Sequence, residues 1–198
     1  ARGLAYRIAN EQSVTSIPAS YQWLGLGSTW GIPNPVILMV VLYALAHMVM
    51  TRMTLGRYVY ATGGNLEAAR LSGVPVQRVR LFAYALGGLL AGLGGIIMAS
   101  QFKSALPTYG INYELAVIAA VVVGGTSLQG GEGNMLGTLL GAFIIGVIQN
   151  GMNLLGLRAP DQLIVMGLVI LGAVLLDRFK HVGLERLQAR WQQGPPPA

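Results

Sequence analysis

Four runs of this 198-residue chain carry no charged side chain: residues 36–50, 81–99, 135–155 and 163–176. Such runs need a solvent that accepts hydrocarbon on every side, and a lipid bilayer is one. Inside lipid each backbone polar group must be satisfied within its own segment, so apolar runs that cross it fold as helices. A crossing takes about 20 residues. The first run comes close when Ile32 and the flanking Pro33 and Pro35 are counted with it. The fold class expected is therefore all-α, a polytopic transmembrane helical bundle. Composition agrees, with 54% hydrophobic and only 10% charged residues, against about 25% charged in a soluble domain.

A fifth apolar run, 115–123, is short. As a helix it reaches roughly 14 Å, about half of the hydrocarbon core. It then enters Gly124-Gly125-Thr126-Ser127-Leu128-Gln129-Gly130-Gly131-Glu132-Gly133. One of about five spans is thus short or broken. Residues 115–134 either cross fully or re-enter as a half-helix opening on a protein-lined cavity. The segment before the first span, 13–31, reads as an extramembrane loop in which Tyr21, Trp23 and Trp30 suit the membrane interface.

Charge decides between the topologies. The 51–80 connection carries Arg52, Arg57, Arg70, Arg78 and Arg80, and the tail carries Arg178, Lys180, Arg186 and Arg190. With five crossings these share a side, opposite Arg2, Arg7, Lys103 and Arg158. The basic excess places the 51–80 connection and the C-terminus in the cytoplasm. The net charge of +6 is accounted for by this orientation, without a nucleic-acid partner. Residues 1–180 are read as the membrane domain and 181–198 as a tail ending in a disordered Gly-Pro-Pro-Pro-Ala.

No Asp, Glu, Lys or Arg lies within a span, so a proton relay or voltage sensor has no evident parts. No Ser/His, Asp/Asp or His/Glu constellation stands at membrane depth, and there is no cysteine; no catalytic or metal-binding residue is nominated. Gln149, Asn150 and Asn153 are the polar exceptions, with Asn150 and Asn153 on one helical face. They serve either interhelical hydrogen bonds or the wall of a solute path. Thr126 and Ser127 are open to the same two readings, since the glycines around them also suit a tight reversal. Small residues at spacing four (Ala83, Gly87, Ala91, Gly95; Gly137, Gly141) support close helix packing. His47, near the end of the first span, is read as structural or interfacial.

The connection holds the most specific pattern. Gly63-Gly64 breaks the chain, Asn65 is a good N-cap, and Glu67 suits the positive end of a helix. Leu66 to Ser72 favours helix, Gly73 can close it in the left-handed conformation, and Pro75 blocks continuation. The result is a two-turn helix too short to stand alone in water, so it needs a surface to dock on. Either it is an ordinary connector, or it passes force to the span that follows.

Gly64-Asn65-Leu66-Glu67-Ala68-Ala69-Arg70-Leu71-Ser72-Gly73-Val74 resembles the cytoplasmic coupling segment of ABC-importer permeases of the ribose/xylose/arabinose group. Residues 119–133 resemble a second signature of that group, in the right order, and Gly3-Leu4-Ala5 does so more weakly. The resemblance covers essentially the whole chain and matches the C-terminal two-thirds of such a permease, with the earlier spans missing. It implies a permease subunit of an ATP-driven importer in the bacterial inner membrane, most simply for a monosaccharide such as ribose. It implies a homo- or heterodimer, a periplasmic solute-binding protein, and a separate ATP-binding subunit docked at Gly64, Asn65, Glu67, Ala68, Ala69, Arg70 and Gly73. The chain has no phosphate-binding glycine loop of its own, so no cofactor is assigned to it and ATP belongs to the partner. The same outline serves branched-chain amino acids and sugar-like signals, and a passive channel or carrier is the remaining alternative.

Overall fold

The computed structural model describes residues 2–10, 12–15 and 17–192; of these, 2, 19 and 176–192 are described by backbone alone. The elements in order are α1 (Arg2–Ile8), α2 (Ala19–Leu26), β1 (Ser28–Thr29), β2 (Ile32–Pro33), α3 (Asn34–Arg52), α4 (Thr54–Gly64), α5 (Leu66–Leu71), α6 (Val76–Phe102), α7 (Tyr113–Val123), α8 (Met135–Leu154) and α9 (Ala159–Gln192). The protein is a polytopic helical membrane protein. Helices α3, α6 and α8 are each long and apolar enough to cross a bilayer, while α7 and the 159–175 part of α9 are shorter apolar helices. The chain divides into two units, 1–113 and 114–198.

In the first unit, α3 and α6 are the long rods. The loop expected over 13–31 contains α2 and β1, and β1 pairs antiparallel with β2 just beyond it, Thr29 opposite Ile32. Two buried polar side chains fasten this module. Asn34, 6% exposed, donates from Nδ2 to the Trp23 carbonyl at 2.7 Å and accepts from the Thr29 hydroxyl at 2.7 Å. Ser100, 1% exposed, accepts the Gly25 N–H at 2.8 Å and donates to the Tyr21 carbonyl at 2.7 Å. Hydroxyl and amide each both donate and accept a hydrogen bond, as burial of polar groups requires. Trp30 stays 96% exposed.

The connection after α3 departs from expectation. Residues 51–80 were read as a polar stretch with one short helix, yet 54–64 form a further helix, α4, packed against α3 and α6. Gly56 allows this turn-back: a Cβ there would meet the Val49 carbonyl oxygen and Met50 Cα at 2.6 Å. The arginines of this stretch mark a water-facing helix side and not an irregular loop. The second span likewise begins at Val76, five residues before its first uncharged run, and so includes Arg78 and Arg80.

In the second unit, α7, α8 and α9 meet in a core of Ala119, Ala120, Ile145 and Met166, with Ile148, Val169 and Ile170 packed around it. Small residues allow α7 and α8 to touch backbone to backbone. A Cβ on Gly141 would strike the Ala120 carbonyl oxygen, and one on Gly137 would strike that of Gly124. Such contact replaces hydrophobic burial as the source of helix association in lipid. Helix α9 continues through the expected tail to Gln192. Residues 194–198, the Gly-Pro-Pro-Pro-Ala end, lie outside the described residues.

Candidate docking site

Helix α5 is six residues long, about 9 Å, and its two ends are chemically closed. At its start the Asn65 side chain accepts the Ala68 N–H at 3.0 Å, satisfying one of the donors a helix leaves unpaired. Glu67 lies in the first turn and Arg70 in the last, each of the sign the helix dipole favours there. At its end Gly73 adopts φ +81°. Its N–H bonds to the Arg70 carbonyl at 3.1 Å and that of Val74 to the Ala69 carbonyl at 3.0 Å. These two bonds form a Schellman closure. The helix runs from Leu66 to Leu71 with Ser72 as its cap, one residue shorter than the expected 66–72.

The joint to α6 leaves little slack. Val76 N–H bonds back to the Val74 carbonyl at 2.8 Å, and Val79 N–H to that of Pro75 at 3.1 Å. The left-handed glycine and the ring of Pro75 restrict the remaining dihedrals. Ala69, 5% exposed, is seated where α5 packs against α4 and α6. Leu66, Glu67, Arg70 and Leu71 are presented outward. A two-turn helix is thus held by its neighbours with one face free, the arrangement that a docking element needs. Gly64, Asn65, Glu67, Ala68, Ala69, Arg70 and Gly73 all fall on α5 or its immediate flanks. Gly73 and Asn65 build the helix ends, Ala69 anchors it, and Glu67 and Arg70 are exposed.

Sequence reasoning missed the companion feature. Glu67 and Arg70 of α5 and Arg78 and Arg80 of α6 line one cleft of about 690 Å³. The signal available was the spacing of the arginines across Pro75, which the chain reversal brings together.

The second set of nominated residues is divided. Ser127 is buried, its hydroxyl accepting the Gln129 N–H at 3.2 Å and its own N–H reaching the Glu132 carbonyl at 3.2 Å. Thr126 and Thr138 hydroxyls lie 3.4 Å apart. Gly125, Gly130 and Gly131 hold positive φ, which is where glycine is required. Thr126 and Ser127 therefore take part in building the reversal before α8. Asn153 accepts from the Gln162 amide at 2.9 Å, and the same amide reaches the Leu157 carbonyl at 3.0 Å; together they brace the α8–α9 turn. Gln149 is half-buried and Asn150 exposed on α8. From Met135 to Asn150 the helix rises about 22 Å, so these groups do not gather at one point.

Apolar helices long enough to cross a bilayer, with a capped, exposed short helix joined directly to one of them, define the class as a polytopic helical membrane protein. The chain belongs to the family described as branched-chain amino acid transport system / permease component, whose pattern matches residues 1–174. It is 49% identical over 161 residues to the ribose import permease protein RbsC of Escherichia coli, covering 81% of this chain and 50% of that protein. With RbsC of Bacillus subtilis it shares 48% over 181 residues, covering 90% and 56% respectively. With the L-arabinose transport system permease protein AraH of Escherichia coli it shares 42% over 180 residues, covering 91% and 55%. The chain thus spans about half the length of the curated relatives it matches. No solved structure matches it.

Proposed function

We propose that this chain is part of the membrane permease of an ATP-driven importer in a bacterial inner membrane, and that its solute is a monosaccharide of the ribose type. The observation that carries the proposal is α5. It is capped at both ends, seated through Ala69, free on its outer face, and bonded without slack into a membrane-spanning helix. In this reading an ATP-binding subunit grips α5 and its motion passes to α6. A periplasmic solute-binding protein delivers the sugar, and a second permease copy completes the path. The basic excess of 51–80 and the tail orients both to the cytoplasm. The printed functions of the relatives, ribose import and arabinose transport, support a monosaccharide. Gln149 and Asn150 suit a neutral, hydroxylated solute. Thr126, Ser127 and Asn153 contribute to the path by shaping its walls.

The test is uptake into proteoliposomes holding the full-length permease, its ATP-binding subunit and its binding protein. Radiolabelled ribose should accumulate only with ATP. Ala69→Pro, which breaks α5, should lower that uptake at least tenfold while membrane yield stays normal. Wild-type uptake in this variant would remove the docking role, and ATP-independent uptake would favour a passive carrier. The family description names branched-chain amino acids; accumulation of leucine in place of ribose would overturn the monosaccharide reading.

A further inference from the structure

We propose that the cleft between α5 and the start of α6 binds the phosphate of an anionic membrane lipid. The proposal needs only that α6 spans the membrane and does not depend on the importer reading. Three guanidinium groups, those of Arg70, Arg78 and Arg80, line the cleft against the single carboxylate of Glu67. Among the described residues no carboxylate stands within ion-pair distance of any of the three. Guanidinium groups match phosphate oxygens bidentately, and three around one cleft against one carboxylate leave a net positive charge poised for an anion.

The backbone adds to this. Asn65 and Asn134 cap α5 and α8 with their side chains, whereas the first turn of α6 has neither a side-chain cap nor an acidic residue. The positive dipole end of α6 therefore has no compensating carboxylate in its own first turn.

Depth selects the source of the phosphate. The apolar, outward-facing surface of α6 begins at Leu81, which is 72% exposed, and continues through Phe82 and Tyr84. Arg78 lies only about 4.5 Å below Leu81 along the axis, so the cleft sits at headgroup level, immediately outside the hydrocarbon. A lipid at this depth presents its phosphate to the arginines and its acyl chains to the exposed face of α6 from Leu81 onward. A free phosphate ion or an acidic protein segment uses the arginines alone.

The experiment uses the full-length permease in nanodiscs of phosphatidylcholine, with and without phosphatidylglycerol. Thermal stability and retained lipid are read by native mass spectrometry and a melting assay. The wild type should retain phosphatidylglycerol and melt higher in its presence. An R78Q/R80Q variant should bind it about thirtyfold more weakly, the effect of two basic residues at a membrane surface. R78K/R80K, which keeps the charge but loses the bidentate fork, should hold the lipid more weakly than the wild type and more tightly than R78Q/R80Q, which separates lost charge from misfolding. R158Q, in the turn between α8 and α9 and outside the cleft lining, should bind as the wild type does. No preference for phosphatidylglycerol in the wild type overturns the proposal. So does equal stabilisation by inorganic phosphate in phosphatidylcholine discs, which assigns the cleft to a free anion. Loss of the ATP-binding subunit from R78Q/R80Q with lipid retention unchanged also overturns it, assigning the cleft to a protein partner.

Discussion

The Asn65 side chain closes α5 through one hydrogen bond, and its removal has a predictable size. Asn65→Ala should weaken the helix by about 1 kcal/mol, read as about fivefold faster amide exchange over 66–71 in the full-length permease. Asn65→Asp, an equally good cap, should leave exchange near the wild-type rate. Equal exchange in all three would show that packing alone forms α5. These caps were legible in the sequence because cap and partner are three residues apart, as with Asn65 and Ala68. Asn34 and Ser100 were not. Ser100 bonds residues 75 and 79 positions away, and nothing local to a serine at the end of an apolar run announces such partners. The same holds for Gln162 bracing Asn153.

Elements were legible where apolarity was continuous. The first expected span, 36–50, lies within α3, and the fourth, 135–155, matches α8 to within a residue. Helix α4 was hidden because arginine and two terminal glycines within 54–64 look like a connection when tertiary support is invisible. The contact of α7 with α8 gives a sharper test than either helix alone. Gly141→Leu must push a side chain into the Ala120 carbonyl, and overpacking of this kind costs about 1–3 kcal/mol. Gly146, also on α8, has open space around its missing Cβ. Gly141→Leu should therefore lower the melting temperature in nanodiscs, and Gly146→Leu should leave it unchanged. The opposite order would mean that α7 and α8 are not in backbone contact.

For the molecule as a whole, family and architecture were readable because a bilayer imposes length, charge bias and helicity together. The path of the solute was not, since Thr126 and Asn153 have structural duties that composition cannot separate from transport. Sidedness is directly measurable. The described sequence contains no cysteine, so single cysteines introduced into a full-length background free of others report position cleanly. Cysteines at Arg57 and Gln129 should react with an impermeant maleimide only from the cytoplasmic face, and one at Trp30 only from outside. Labelling of position 129 from outside would show that α7 turns back without crossing.

Helix α6 runs unbroken from the Pro75 joint to Ser100, a distance of about 36 Å, and Ser100 grips α2 by two buried hydrogen bonds. A ten-degree tilt about the lower end sweeps Ser100 sideways by about 6 Å. Helix α2, with Tyr21 and Trp23, must travel with it, so a small displacement at one end of α6 emerges, magnified, at the other.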